Sequence, residues 1–124
     1  MGKYSITLEV SIAPTDSNRI LGVSKYTKAR IFKKVKNEII HLVRGRGPKD
    51  PLTSFKISAH RYSPSFMDLD NCYSMLKPYI DGLTLSGVIK DDSWQFLNHA
   101  NYTIDQTKIK MKDEKKIFIT VEEV

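Results

Sequence analysis

Asp68, Asp70, Asp91 and Asp92 are the residues whose type and spacing could do chemistry in this chain. Asp68 and Asp70 are two apart, and in an extended strand residues i and i+2 point the same way, so their carboxylates converge. Asp91 and Asp92 are adjacent, and neighbours in an extended chain face opposite ways, so only one of them shares that spot. Carboxylates crowded together repel, and one takes up a proton unless a cation intervenes. Oxygen ligands with no His or Cys beside them select Mg²⁺, with Mn²⁺ as a substitute, over zinc. His41, His60 and His99 are scattered and share no metal-ligand spacing. The same aspartates also read as ordinary: Asp68 in a turn, Asp70 as a helix N-cap, Asp91 and Asp92 in a solvated turn. Spacing alone leaves both readings open.

These carboxylates sit in a segment whose charge opposes that of the chain. Residues 66–92 hold five Asp and two Lys, a local charge of −3, whereas the chain of 124 residues is +6. Residues 19–61 carry twelve Lys or Arg and two acids, a local charge of +10. A basic block of that size is the usual footprint of a polyanion partner. Its plain alternative is a solvated basic helix face.

The elements that must position these groups follow from periodicity. Residues 3–12 alternate, with Tyr4, Ile6, Leu8 and Val10 on one side, as in a strand with one buried face. Over residues 25–43 the period lengthens, and Ala29, Phe32, Val35, Ile39, Ile40 and Val43 recur every three or four residues. That predicts an amphipathic helix whose outer surface is basic. RGRGPKDP (44–51) ends it, because Gly and Pro break helices. Lys25, Lys28, Arg30, Lys33 and Lys34 on the helix, with Arg44 and Arg46 in the loop, are the candidate phosphate contacts.

Residues 54–62 alternate again and predict a second strand, a hairpin partner or sheet neighbour of the first. A second helix is expected from about Asn71, with Asp70 at its cap. On that helix Ser74, Lys77 and Asp81 fall at about 40°, −20° and 20° from Asp70, forming one polar stripe. Pro78 either kinks this helix or begins a new one. Late strands are expected near 100–110 and 115–122, with KDEK (112–115) as their turn. The chain therefore predicts one α+β domain, a mixed sheet of about four strands with two main helices.

Other features narrow the classes. One cysteine, Cys72, rules out a disulfide within the chain and fits a reducing compartment. No apolar run approaches the ~20 residues of a membrane helix, and the first ten residues read as a strand rather than a signal peptide. The expectation is a cytoplasmic protein with no membrane partner and no small-molecule cofactor. Tyr26, Phe32, Tyr62, Phe66 and Trp94 have the chemistry to stack on bases, although each also suits a core.

The pattern DLDN…K…D.L…G…DD resembles the RusA-type Holliday junction resolvases. Asp68, Asp70, Asn71, Lys77, Asp81, Leu83, Gly87, Asp91 and Asp92 all fall on that family's pattern. The resemblance implies a metal-binding catalytic cluster of Asp68, Asp70 and Asp92, with Asp91 in the accessory position. It also implies that Lys77 lies near the cleaved phosphate. The lysine here follows the second aspartate by seven residues, where the family's familiar form has four, and Ser74 occupies the shorter offset. A RusA-like fold, a Mg²⁺-dependent endonuclease acting on four-way DNA junctions and a homodimer with two matched active sites are the corresponding expectations. Non-catalytic nucleic-acid binding, a nuclease for flaps or forks and a protein-interaction domain with incidental charge are the competing ones.

Overall fold

The computed structural model describes residues 3–11, 25–64, 76–90, 102–110 and 115–124. Among them are four strands and two helices: β1 (Ser5–Ser11), α1 (Lys25–Val43), β2 (Phe55–Ser63), α2 (Lys77–Leu85), β3 (Tyr102–Lys108) and β4 (Lys116–Glu123). The strands form one mixed sheet in the order β1-β4-β2-β3. β4 runs antiparallel to both β1 and β2, and β3 lies parallel to β2.

The alternation read in the sequence sets which face is buried. Ile6, Leu8 and Val10 of β1, Ile117, Ile119 and Val121 of β4, and Phe55, Ile57 and Ala59 of β2 all point to one side and are buried. Register carries these rows across the sheet, with Leu8 opposite Ile119 and Ile119 opposite Ala59. Val35, Ile39 and Val43 of α1 and Tyr79, Ile80 and Leu83 of α2 complete the same core. Truncating one such side chain to Ala costs about 2–5 kcal/mol. Arg61 continues the inward alternation of β2 and is also buried, with Nη1 donating to Gln106 Oε1 at 3.1 Å. No helix among the described residues is long and apolar enough to cross a membrane.

Two expectations about pairing are corrected. β1 and β2 are not neighbours, because β4 lies between them. β4 and β3 are not a hairpin either, since among the described strands β3 pairs with β2 and not with β4. Apolar content separates β4 from β3 only, since β1, with Ile6, Leu8 and Val10 inward, lies at an edge. β4 presents Ile117, Ile119 and Val121 inward and lies centrally, between two strands. β3 has Tyr102 and Ile104 inward and then the polar Gln106, which suits an edge. Parallel strands need a crossover, and α2 supplies it between β2 and β3 as α1 does between β1 and β2.

The second helix shows which of its two roles Pro78 takes. It begins at Lys77, with Leu76 as its cap residue and Ile80 N–H donating to the Leu76 carbonyl at 3.0 Å. Pro78 sits in the first turn, where its missing N–H has no intrahelical partner to lose. Asn71, Ser74 and the expected cap Asp70 lie outside the described residues. At the other end Gly87 takes φ +84°, Val88 N–H donates to Leu83 O at 3.0 Å, and Gly87 N–H donates to Thr84 O at 3.2 Å. This is a Schellman ending, and glycine is favoured there because a side chain strains that φ.

α1 and α2 touch closely at one point. A Cβ added to Gly82 would lie 2.7 Å from Ile39 Cβ and 3.1 Å from the Lys36 carbonyl oxygen. Glycine lets the helices approach, and that approach fixes how the outer face of α1 sits relative to Lys77 and Asp81.

Candidate nucleic-acid interface

The outer face of α1 carries one exposed stripe. At about 100° per residue, with Tyr26 at zero, Arg30 falls at about 40°, Lys33 at −20°, Asn37 at 20° and His41 at 60°. All five are exposed, Tyr26 to 85%. The buried Val35 lies directly opposite, at about 180°. Lys34 is exposed on one flank at about 80°, and the half-buried Lys36 lies on the other at about −80°. The helix's only acid, Glu38, is half-buried and off the stripe at about 120°. Lys25 and Lys28 also belong to α1.

The loop after α1 divides its two arginines. Arg44 is exposed and continues the line of the stripe. Arg46 is turned back onto β1, its Nη2 donating to Thr7 O at 3.4 Å, while Tyr4 OH donates to the Arg46 carbonyl at 2.7 Å. Burial raises the pKa of Tyr4, and the positive Arg46 opposes that rise. Of the two, Arg44 is the better placed for an incoming phosphate.

Lys77 stands at the first helical position of α2, its Nζ 3.1 Å from Asp81 Oδ1. Both side chains remain partly exposed, at 59% and 36%. A cation in the first turn sits against the positive end of the helix dipole, and lysine ahead of its acid is the weaker order for an i,i+4 pair. Helix stability therefore gains little from Lys77. Asp81 lines a small groove of about 230 Å³ with Thr84 and Leu85 of α2 and Lys36 of α1. The Lys77–Asp81 pair thus lies beside the flank of the basic helix.

Asp68, Asp70, Asp91 and Asp92 lie outside the described residues, as do Phe66 and Trp94. Among the described residues no group of three His, Cys, Asp or Glu is arranged to hold a metal ion.

The other exposed surface is the sheet face that the helices leave open. There His60 and Tyr62 stack at 4.5 Å, Tyr62 meets Phe118 edge-on at 5.7 Å, and His60 Nε2 lies 2.6 Å from Thr107 Oγ1. Lys116 Nζ lies 5.3 Å from the Phe118 ring centre and 3.7 Å from Glu9 Oε1. Tyr62, considered above as a base-stacking residue, is already packed in this cluster.

The residue list drawn from the sequence lacks Asn37, His41 and Lys36. The same helical wheel that identified the amphipathic pattern also contains their positions, had polar residues been tracked as closely as apolar ones. Comparison with protein-family models and with curated protein sequences finds no match.

Proposed function

We propose that this chain binds branched DNA through the outer face of α1 and cuts it with a divalent cation held by Asp68, Asp70 and Asp92, with Asp91 beside them. One observation carries the reading. On α1 an exposed stripe carries cations and no acid, and Lys36 on its flank lines a groove with Asp81, the partner of Lys77 in the first turn of α2. The carboxylate set is all-oxygen, which fits Mg²⁺ or Mn²⁺. Such an ion, when bound, lowers the pKa of a coordinated water and polarises the phosphate.

The chain's own residues supply the rest. Arg30, Lys33, Lys34 and Arg44 attract the backbone and hold it by charge, with a strong dependence on salt. Lys77 balances the negative charge that builds up on the phosphate in the transition state. Asp81 orients the Lys77 ammonium at 3.1 Å. Paired cuts in a four-way junction call for two copies related by a two-fold axis, so the working form is a homodimer.

The test is incubation of the purified chain with synthetic four-way junctions, flaps, forks and linear duplex, with Mg²⁺ or with chelator. The expected result is Mg²⁺-dependent cutting of the junction, abolished by Asp70→Asn while DNA binding persists. Binding without cutting on any substrate would refute the nuclease reading and leave a nucleic-acid-binding protein. Cutting of flaps or forks in preference to junctions would refute the resolvase assignment alone.

A further inference from the structure

We infer that α1 enters the major groove of duplex DNA and that Asn37 reads base edges there. The chain would then prefer certain sequences rather than bind by charge alone. This rests on the nucleic-acid reading above and specifies what that site recognises.

The distribution of side chains around α1 carries the inference. A helix that only lies along one backbone needs cations on the side facing it. A helix in the major groove meets two phosphate walls, one on each flank, with base edges ahead of its tip. α1 carries the exposed Lys34 at about +80° and the half-buried Lys36 at about −80°, on the side where α2 packs, with the exposed stripe between them. The two lysines are two residues apart, about 3 Å along the axis. Their side chains therefore extend from almost the same level to opposite sides, matching a groove about 12 Å wide. Lys36 also lines the small groove with Asp81, Thr84 and Leu85, so that flank leads toward Lys77.

Asn37 stands at the tip, at about 20°, between Lys33 and His41. It is exposed, near the C-terminal third of a 19-residue helix. Asn is a poor interior helix residue, because its side chain competes for the backbone. Its amide, however, offers one donor and one acceptor side by side, the pair that adenine N7 and N6 present in the major groove. Arg30 and His41 on the same stripe can donate to guanine N7 or O6, so Asn37 is the neutral reader within a basic row.

The experiment is selection from a library of duplexes with a randomised 12-base-pair centre, using the intact chain, followed by anisotropy titration of the best and worst sequences. Wild type is expected to enrich an adenine-containing sequence and to separate best from worst by about tenfold or more. Asn37→Ala should collapse that separation, whereas Lys33→Ala should weaken binding to every sequence and lower the salt slope by about one. Asn37→Ala removes an exposed side chain and installs the best helix former, so folding is not at risk. Binding with no enriched sequence would overturn the inference while leaving the nucleic-acid reading intact. Enrichment that Asn37→Ala does not change would overturn it as well. No binding to any duplex would overturn the inference alone, and no binding to four-way junctions as well would overturn both.

Discussion

Two exposed faces among the described residues use charge in opposite ways. On the outer face of α1, Arg30, Lys33 and Lys34 stand exposed, and the helix's single acid lies off the stripe. On the open face of the sheet, Lys56 and Lys116 are matched by Glu9, Asp105 and Glu122, and Lys116 is paired with Glu9 at 3.7 Å. The aromatic rings also differ. Tyr26 on α1 is 85% exposed, whereas His60, Tyr62 and Phe118 on the sheet stack on one another. A net charge of +6 therefore does not describe a uniformly basic object. The sheet face sets acids among its cations and pairs Lys116 with Glu9, whereas the exposed stripe of the helix holds no acid.

Charge reversal should break this symmetry most strongly. Arg30→Glu with Lys33→Glu is expected to weaken DNA binding by about tenfold or more, because two phosphate contacts become repulsive. Lys56→Glu on the sheet face should change affinity by less than about twofold, since it removes an exposed charge outside the interface. Anisotropy titration at matched salt compares them, and equal losses would dissolve the distinction between the faces.

Helix placement gives the next effect. Gly82→Val drives a side chain into Ile39 and the Lys36 carbonyl, and overpacking of this kind costs about 1–3 kcal/mol. Thermal unfolding should show Tm falling by several degrees. An unchanged Tm would mean that the α1–α2 contact does not fix the basic face. A smaller effect is expected on the sheet. Lys116→Ala loses an exposed ion pair and a ring contact, together worth up to about 1 kcal/mol, and a loss well beyond that would show the face to be more tightly coupled than its geometry indicates.

The smallest effect belongs to Tyr4. Burial raises its pKa above 10.0 despite Arg46, so the folded chain favours the protonated phenol. The associated stability is fully present below the unfolded pKa of about 10 and is lost as pH rises through the folded value. Tm should fall over that range, and fall less in Tyr4→Phe. Identical profiles would remove Tyr4 from the account.

The fold was largely legible because burial writes itself as periodicity. Ile6, Leu8 and Val10, Ile117, Ile119 and Val121, and the α1 residues Val35, Ile39 and Val43 all face the core as their spacing requires. Strand order was not legible, since alternation says which face a residue takes and not which strand lies beside it. β1 turns as many aliphatics inward as β4 and still lies at an edge, so apolar content does not set the order. The start of α2 was legible as one of two roles open to Pro78, which suits a first turn as well as it breaks an interior one. Of the candidate site, the basic helix and the Lys77–Asp81 spacing were legible. The turning of Arg46 onto Thr7 was not, because it depends on how the loop folds back against β1.

The central claim is that DNA meets α1 and not the sheet. The most direct measurement is backbone amide chemical-shift mapping during titration with a four-way junction. The account predicts shifts concentrated at Arg30, Lys33, Asn37, His41 and Arg44, extending to Lys77 and fading as salt is raised. Shifts centred on Lys56, Tyr62, Lys116 and Phe118, with α1 unmoved, would contradict it.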